Sequence, residues 1–280
     1  MTTVAKPLRV AVAQMRSGTD KQSNVTIALE LVRAAADQGA TYIQLPEYFS
    51  FYGPARFHEG VGESVPGPTT NEFAELARER NVNVHLGSLL ETSPHERRSY
   101  NTSVLIGVRG EILATYRKVH LFDVDVPGEV TFRESSAIAP GSQLVTAAFD
   151  DVVLGLTICF DLRFAELYRS LAVRGATVFA VPSAFSAATG PAHWEVLARA
   201  RAIENLAFVV AATQVGTTNE GLATHGHAMI IDPWGVVLAQ SNTDQPEVVV
   251  ADLDLAQVAR RRREIDVFAL RRPALYDERE

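Results

Sequence analysis

The sequence predicts a mixed α/β protein whose β-sheets are covered by helices. Short apolar and β-branched runs, as long as strands buried on both faces, alternate with helical patterns along the chain. No stretch rich in Pro, Gly and Ser interrupts them, so the 280 residues read as a single domain spanning 1–280. A composition of 47% hydrophobic and 21% charged residues supplies a substantial core.

Leu8 to Ala13 (LRVAVA) reads as a strand apolar on both faces. A helix follows over Asn24 to Gln38, with Ile27, Leu31 and Ala35 on its apolar side and Gly39 as its C-cap. Thr41 to Leu45 is the next strand, broken by Pro46. Asn71 to Arg80 has a helical pattern, and Val82 to Leu90 returns to strand. Ser99 to Val108 and Glu111 to Tyr116 form a hairpin around Arg109-Gly110. Val152 to Ile158 is a strand, Phe164 to Val173 a helix and Ala176 to Val181 a strand. His193 to Asn205 is helical and Ala207 to Thr213 extended. Gly226 to Ile231 and Val236 to Gln240 flank the turn Asp232-Pro233-Trp234-Gly235. Glu247 to Asp252 is the last strand, before a short helix beginning near Asp254.

The net charge of −7 argues against nucleic acid or an anionic membrane surface as main partner, since both call for a basic face. The run Arg260 to Arg263 reads as a solvated helix end or a subunit contact. A single cysteine cannot form an intrachain disulfide, and no apolar run is long enough to cross a bilayer. The N-terminal segment has no long apolar stretch of signal-peptide type, so a cytoplasmic location is expected.

Glu47 and Cys159 both follow strands, at the carboxyl ends where open α/β sheets bind ligands. A helix is expected to begin just after Cys159, and its positive end favours thiolate. A lone cysteine is, however, more often a small buried hydrophobe. A histidine base would have to be His120 or His193, and neither has a context that marks it as one. His225 and His227 share one side of an expected strand, but no third metal ligand accompanies them, and no metal or cofactor is expected. Lys118 closes the strand EILATYRK. It is either a solvated strand end or, if buried beside a carboxylate, a positive charge for a developing oxyanion.

Five segments settle these alternatives by resemblance: LPEYF (45–49), YRKVHLFDVDVPGEVTFRES (116–135), GLTICFDLRFAELYRSLAVRGA (155–176), VPSAFSAATGPAHWEVLARARAIEN (181–205) and GHAMIIDPWG (226–235). In this order they resemble the nitrilase superfamily of carbon–nitrogen hydrolases over nearly the whole chain. The resemblance implies a four-layer α-β-β-α sandwich and a catalytic set of Glu47, Lys118 and Cys159, with Glu134 as a second glutamate. Glu47 is then the general base and Cys159 the nucleophile that forms a thioester. Lys118 and the backbone N–H of Phe160 hold the oxyanion, while Glu134 orients Lys118 and helps position the amide. Such proteins commonly pair into dimers, to which the tail over 268–280 contributes.

Within the superfamily, DVDVPGEVTFRES, ATGPAHWEVLARARAIEN and DPWG resemble the omega-amidase and deaminated glutathione amidase branch. That implies hydrolysis of the terminal amide of a small carboxylate-bearing substrate, such as 2-oxoglutaramate or deaminated glutathione. Arg163 is the candidate partner for the substrate carboxylate, alongside a role in a helix-start ion pair. Tyr48, Phe185 and Thr189 are candidate pocket residues. The segments FSFYGPAR (49–56) and NEGLAT (219–224), where specificity loops fall, match neither close branch cleanly, and Gly141-Ser142 stands where related chains often carry Gly-Asp. A nitrilase or an N-carbamoyl amino-acid amidohydrolase would use the same residues, and a non-catalytic scaffold is the alternative outside enzymes.

Overall fold

The computed structural model describes residues 7–276 apart from Glu59, Pro94, Glu96 and Glu129. The N-terminal residues 1–6 and the last four residues of the 268–280 tail therefore lie outside the described residues.

The strand Leu8–Met15 lies at the heart of the first sheet. On one side it pairs in parallel with Tyr42–Gln44, which pairs in parallel with Asn83–Glu91. Ser99–Ile106 and Ile112–Arg117 then continue the sheet antiparallel. On its other side Leu8–Met15 meets Glu247–Leu253 antiparallel and, at its end, Thr213–Thr217 in parallel. The second sheet runs in the order Val237–Gln240, Met229–Ile231, Phe208–Ala211, Val178–Ala180, Val152–Leu156 and Thr146–Phe149, its middle three strands parallel.

Side-chain alternation along strands stacks these sheets between helices. Val10, Val12, Tyr42 and Leu105 point towards the second sheet, in one core with Leu154, Leu156, Val178 and Ala180. The alternate residues Ala11, Ala13, Ile43, Val104 and Ile106 point the other way, into a second core. There they meet α1 (Lys21–Asp37) and α2 (Pro68–Arg80) through Val25, Ala28, Val32, Phe73 and Leu76. On the far face of the second sheet lie α3 (Ala165–Val173) and α4 (Gly190–Asn205), where the Tyr168 ring meets Phe179 edge-on at 5.1 Å. Gly155 has no side chain because a Cβ there would crowd Phe179, Ala176 and Leu171. The result is the four-layer α-β-β-α sandwich. A short helix, α5 (Ala256–Glu264), follows the last strand.

Several local expectations are corrected. α1 begins at Lys21, capped by Asp20, whose side chain accepts from Ser23 N at 3.1 Å. α2 and α4 begin three residues early, each with a proline in its first turn, where the missing N–H has no intrahelical partner. The expected strand Ala207 to Thr213 changes sheets midway: Phe208–Ala211 belongs to the second and Thr213–Thr217 to the first. His225 ends the strand Ala223–His225 and His227 has a left-handed φ of 60°, so the two rings do not share one strand although they lie 4.5 Å apart. A hairpin of Asp123–Val126 and Val130–Arg133 and the strand Thr146–Phe149 were not expected.

Candidate active site

Four strands, two from each sheet, end around one point. Tyr42–Gln44 delivers Glu47 and Ile112–Arg117 delivers Lys118 from the first sheet. Val152–Leu156 delivers Cys159, and Val178–Ala180 delivers Ala184, from the second. The chain at Glu47 presses against the neighbouring strand: a Cβ at Gly87 would sit 1.9 Å from the Leu45 carbonyl, so this approach requires glycine. Cys159 has a φ of 47°, in the left-handed region that costs a non-glycine residue free energy, on the order of 1–3 kcal/mol. Its N–H donates to the Pro182 carbonyl at 2.9 Å.

The chain continues from the thiol as a 3-10 turn, Cys159–Arg163, and the α-helix starts only at Ala165. Asp161 fastens that turn. Its carboxylate accepts from Ile158 N at 2.8 Å, Tyr116 OH at 2.7 Å and His120 N at 3.1 Å, with His120 Nδ1 at 2.8 Å. The histidine thus belongs to the scaffold that joins the two strand ends, stacked on Phe164 at 3.6 Å.

Lys118 is 2% exposed and lies between two carboxylates. Its Nζ donates to Glu47 Oε1 at 2.9 Å and to Glu134 Oε2 and Oε1 at 2.9 and 3.2 Å. Burial alone would lower its pKa, but the charges of Glu134 and Glu47 outweigh it and raise the pKa well above the usual lysine range. The converse holds for Glu134, where burial pushes upward and Lys118, with the Phe122 N–H, pulls the carboxyl below its ordinary range. Glu134 Oε1 also accepts from Tyr48 OH at 2.8 Å and Oε2 from Phe122 N at 2.6 Å. Glu47 Oε2 accepts from the Ala184 N–H at 2.8 Å.

Asn101 was not expected here. Its Nδ2 donates to Glu47 Oε1 at 2.9 Å and to Glu134 Oε1 at 3.1 Å. Its signal was in the sequence: asparagine is depleted in strands, and Asn101 stands mid-strand between residues of good strand propensity.

Burial raises the Cys159 thiol well above the ordinary cysteine range, and the Glu47 charge raises it further against the pull of Lys118. The helix end expected to favour thiolate is therefore outweighed, and the sulfur enters as the thiol whose proton Glu47 was expected to take. A 3-10 turn of five residues offers little of the dipole of an α-helix, and the nearest carboxylate opposes ionisation.

Glu47, Lys118, Glu134, Cys159 and Phe160 all line one cavity of about 270 Å³. The four candidate pocket residues, Tyr48, Arg163, Phe185 and Thr189, line it too, so every candidate site residue is brought together. Tyr52 and Leu222 in the wall come from the segments 49–56 and 219–224, where specificity loops were expected, whereas Asn101 was not singled out. Arg163 is half-buried, its guanidinium 5.3 Å from the Phe185 ring centroid and 3.4 Å from Thr189 Oγ1. It also faces His193 Nδ1 at 3.3 Å, and among the described residues no carboxylate pairs with it, so the helix-start ion pair is not formed there.

The family described as carbon–nitrogen hydrolase matches residues 9–263. Omega-amidase NIT2 of Homo sapiens is 39% identical over 268 residues, covering 96% of this chain and 96% of its own length. The Homo sapiens deaminated glutathione amidase is 42% identical over 273 residues, covering 95% of this chain and 83% of its own. Among solved structures, an amidase from Nesterenkonia sp. AN1, carrying the acetamide moiety of fluoroacetamide on its active-site cysteine, superposes with a TM-score of 0.81. It is 26% identical, over 99% of this chain and 98% of that one. The chain therefore belongs to the carbon–nitrogen hydrolase family, as a cysteine-dependent amidase of the nitrilase superfamily.

Proposed function

We propose that this amidase releases ammonia from the terminal amide of a small carboxylate-bearing substrate, of the 2-oxoglutaramate or deaminated glutathione type, through a thioester on Cys159. The observation that carries the substrate class is Arg163: a half-buried guanidinium in the wall of the thiol's cavity, without a carboxylate partner among the described residues. A bidentate carboxylate satisfies such a group best. The cavity of about 270 Å³ suits a small acid rather than a long chain.

The hydrogen bonds assign the roles. A carboxylate offers about four lone pairs. Glu47 Oε1 is occupied by Lys118 and Asn101, and Oε2 by the Ala184 N–H, which leaves one acceptor position on Oε2. That position takes the Cys159 proton as sulfur attacks the amide carbon. Lys118 directs one proton at Glu47 and one, shared, at the two oxygens of Glu134, which leaves a third for the oxyanion, and the Phe160 N–H is the second donor. The C–N bond breaks as Glu47 returns the proton to nitrogen, and ammonia leaves. Glu47 then takes a proton from water, whose oxygen attacks the thioester carbon. The C–S bond breaks, sulfur recovers the proton, and the acid departs.

The test is kcat/KM over a panel: omega-amides with and without a distal carboxylate, a nitrile and a carbamoyl amino acid. Carboxylate-bearing omega-amides should lead. Arg163→Met should cut their kcat/KM about 10- to 100-fold, mostly through KM, while sparing uncharged amides. Faster turnover of the nitrile or carbamoyl compound, or equal losses on charged and uncharged amides, would overturn the reading. A cytoplasmic homodimer, one domain per chain, completes it.

A further inference from the structure

We infer that Asn101 is a positioning residue whose amide stabilises the negative charge shared by the two carboxylates of the site, so that Glu47 is oriented to enter the reaction as a base. The inference rests on the role proposed for Glu47. Among the described residues, two buried carboxylates here share one ion-paired cation, Lys118. The titratable groups turned towards them are Lys118, the Cys159 thiol, the phenols of Tyr48 and Tyr52, and His58 on the Glu134 side. Burial holds His58 below its ordinary range, so Lys118 is the lone cation among them at neutral pH.

One ammonium between two carboxylates leaves a net negative charge in a site that exposes a few per cent of any of these groups. Paired carboxylates in that situation relieve it by binding a proton on one of them. Dipoles must hold the second charge instead. The Ala184 N–H serves Glu47 alone, and the Phe122 N–H and Tyr48 hydroxyl serve Glu134 alone. Among the described residues Asn101 alone matches Lys118 in donating to both, and it adds no charge.

The orientation of the amide is fixed by the same pair. Turning it over would set Oδ1 against two carboxylates, whereas as placed Oδ1 is a buried acceptor without a partner among the described residues. An asparagine kept at full burial with half its hydrogen-bonding capacity unmet is held there for its Nδ2.

The experiment is the pH profile of kcat/KM for wild type, Asn101→Leu and Asn101→Asp on the best amide of the panel. Losing Nδ2 removes a donor from both carboxylates, so the acid limb of Asn101→Leu should move to higher pH, by about one unit. At neutral pH its kcat should fall about 10- to 100-fold with KM nearly unchanged. The limb position does not depend on how much of the variant folds. Asn101→Asp donates only when protonated, so its activity relative to wild type should improve as pH falls. A limb of Asn101→Leu at the wild-type pH, or an Asn101→Asp profile parallel to wild type, overturns the inference. Its failure is separable from that of the underlying reading: a Glu47→Gln variant that still turns over amides sinks the base assignment, whatever Asn101 does.

Discussion

Lys118 shows how a residue's environment converts into a measurable property. Its pKa is raised, so its contribution to stability is present below the unfolded lysine value and is lost only as pH rises beyond it. Glu134 has a lowered pKa, so its contribution is present above the unfolded carboxyl value and is lost as pH falls through the folded one. Both therefore act together across neutral pH. Lys118→Met removes the partner of two buried carboxylates, and Glu134 loses the charge that holds its carboxyl below the ordinary range against burial. The variant should be less stable than wild type by about 3–5 kcal/mol near neutral pH, with the deficit shrinking as acid neutralises the carboxylates. Chemical denaturation across a pH series measures it, and a deficit independent of pH would contradict the ion-pair account. The thiol makes a second prediction. Cys159 should remain protonated through neutral pH, so ultraviolet thiolate absorbance, taken as wild type minus Cys159→Ala, should appear only above the ordinary cysteine range. Absorbance already present at pH 6 would restore the resting thiolate. Glu47, Lys118, Glu134 and Cys159 were legible because motifs carry them. Asn101 and the Ala184 N–H were not: no motif carries the first, whose one signal is an asparagine out of place in a strand, and the second is backbone whose direction no side chain announces.

At the level of elements, the turn Cys159–Arg163 carries the reactive sulfur on a left-handed residue, and Asp161 holds it in place. Asp161→Asn keeps the shape but replaces an acceptor with a donor facing N–H and O–H groups. Hydrogen bonds to a charged acceptor contribute about 1.5–3 kcal/mol each, so thermal unfolding should come earlier and kcat should fall. Wild-type kcat and unfolding temperature in that variant would show that the turn holds itself. The strands themselves were readable from apolar runs and breaking prolines. Their assignment to sheets was not: Ala207 to Thr213 looks like one strand because every residue to Thr213 is buried, and burial on all sides conceals the crossing from one sheet to the other. The hairpin Asp123–Val126 with Val130–Arg133 carries acidic residues that local pattern assigns to a loop, although it contributes Thr131 and Phe132 to the cavity wall. Strand pairing there overrides weak propensity.

For the whole molecule, two sheets and four covering helices bury the apolar faces that the composition promised, and no helix among the described residues is long and apolar enough to cross a membrane. One outer surface remains apolar. On α4, Val196 and Ile203 are exposed seven residues apart, so they lie on one side of the helix. Ile203 packs so closely on Gly235 that a Cβ there would fall 2.5 Å from it, and Arg199, between the two, donates to the Gly235 carbonyl at 2.9 Å. The turn therefore continues the stripe with exposed Trp234, Val236 and Leu238. Leu270, Leu275 and Tyr276 in the tail are exposed as well. The α4 stripe with Trp234, Val236 and Leu238 is the apolar surface available to a proposed dimer contact. A self-complementary contact between two copies needs a patch of this kind, burying on the order of 1,200–2,000 Å² in total. Sedimentation of the full chain should give twice the chain mass. Placing glutamates at Val196 and Ile203 together sets like charges against each other across the two-fold axis and should release monomers that still fold. A doubly substituted chain that stays dimeric would move the contact off α4, and a wild-type monomer at micromolar concentration would remove it.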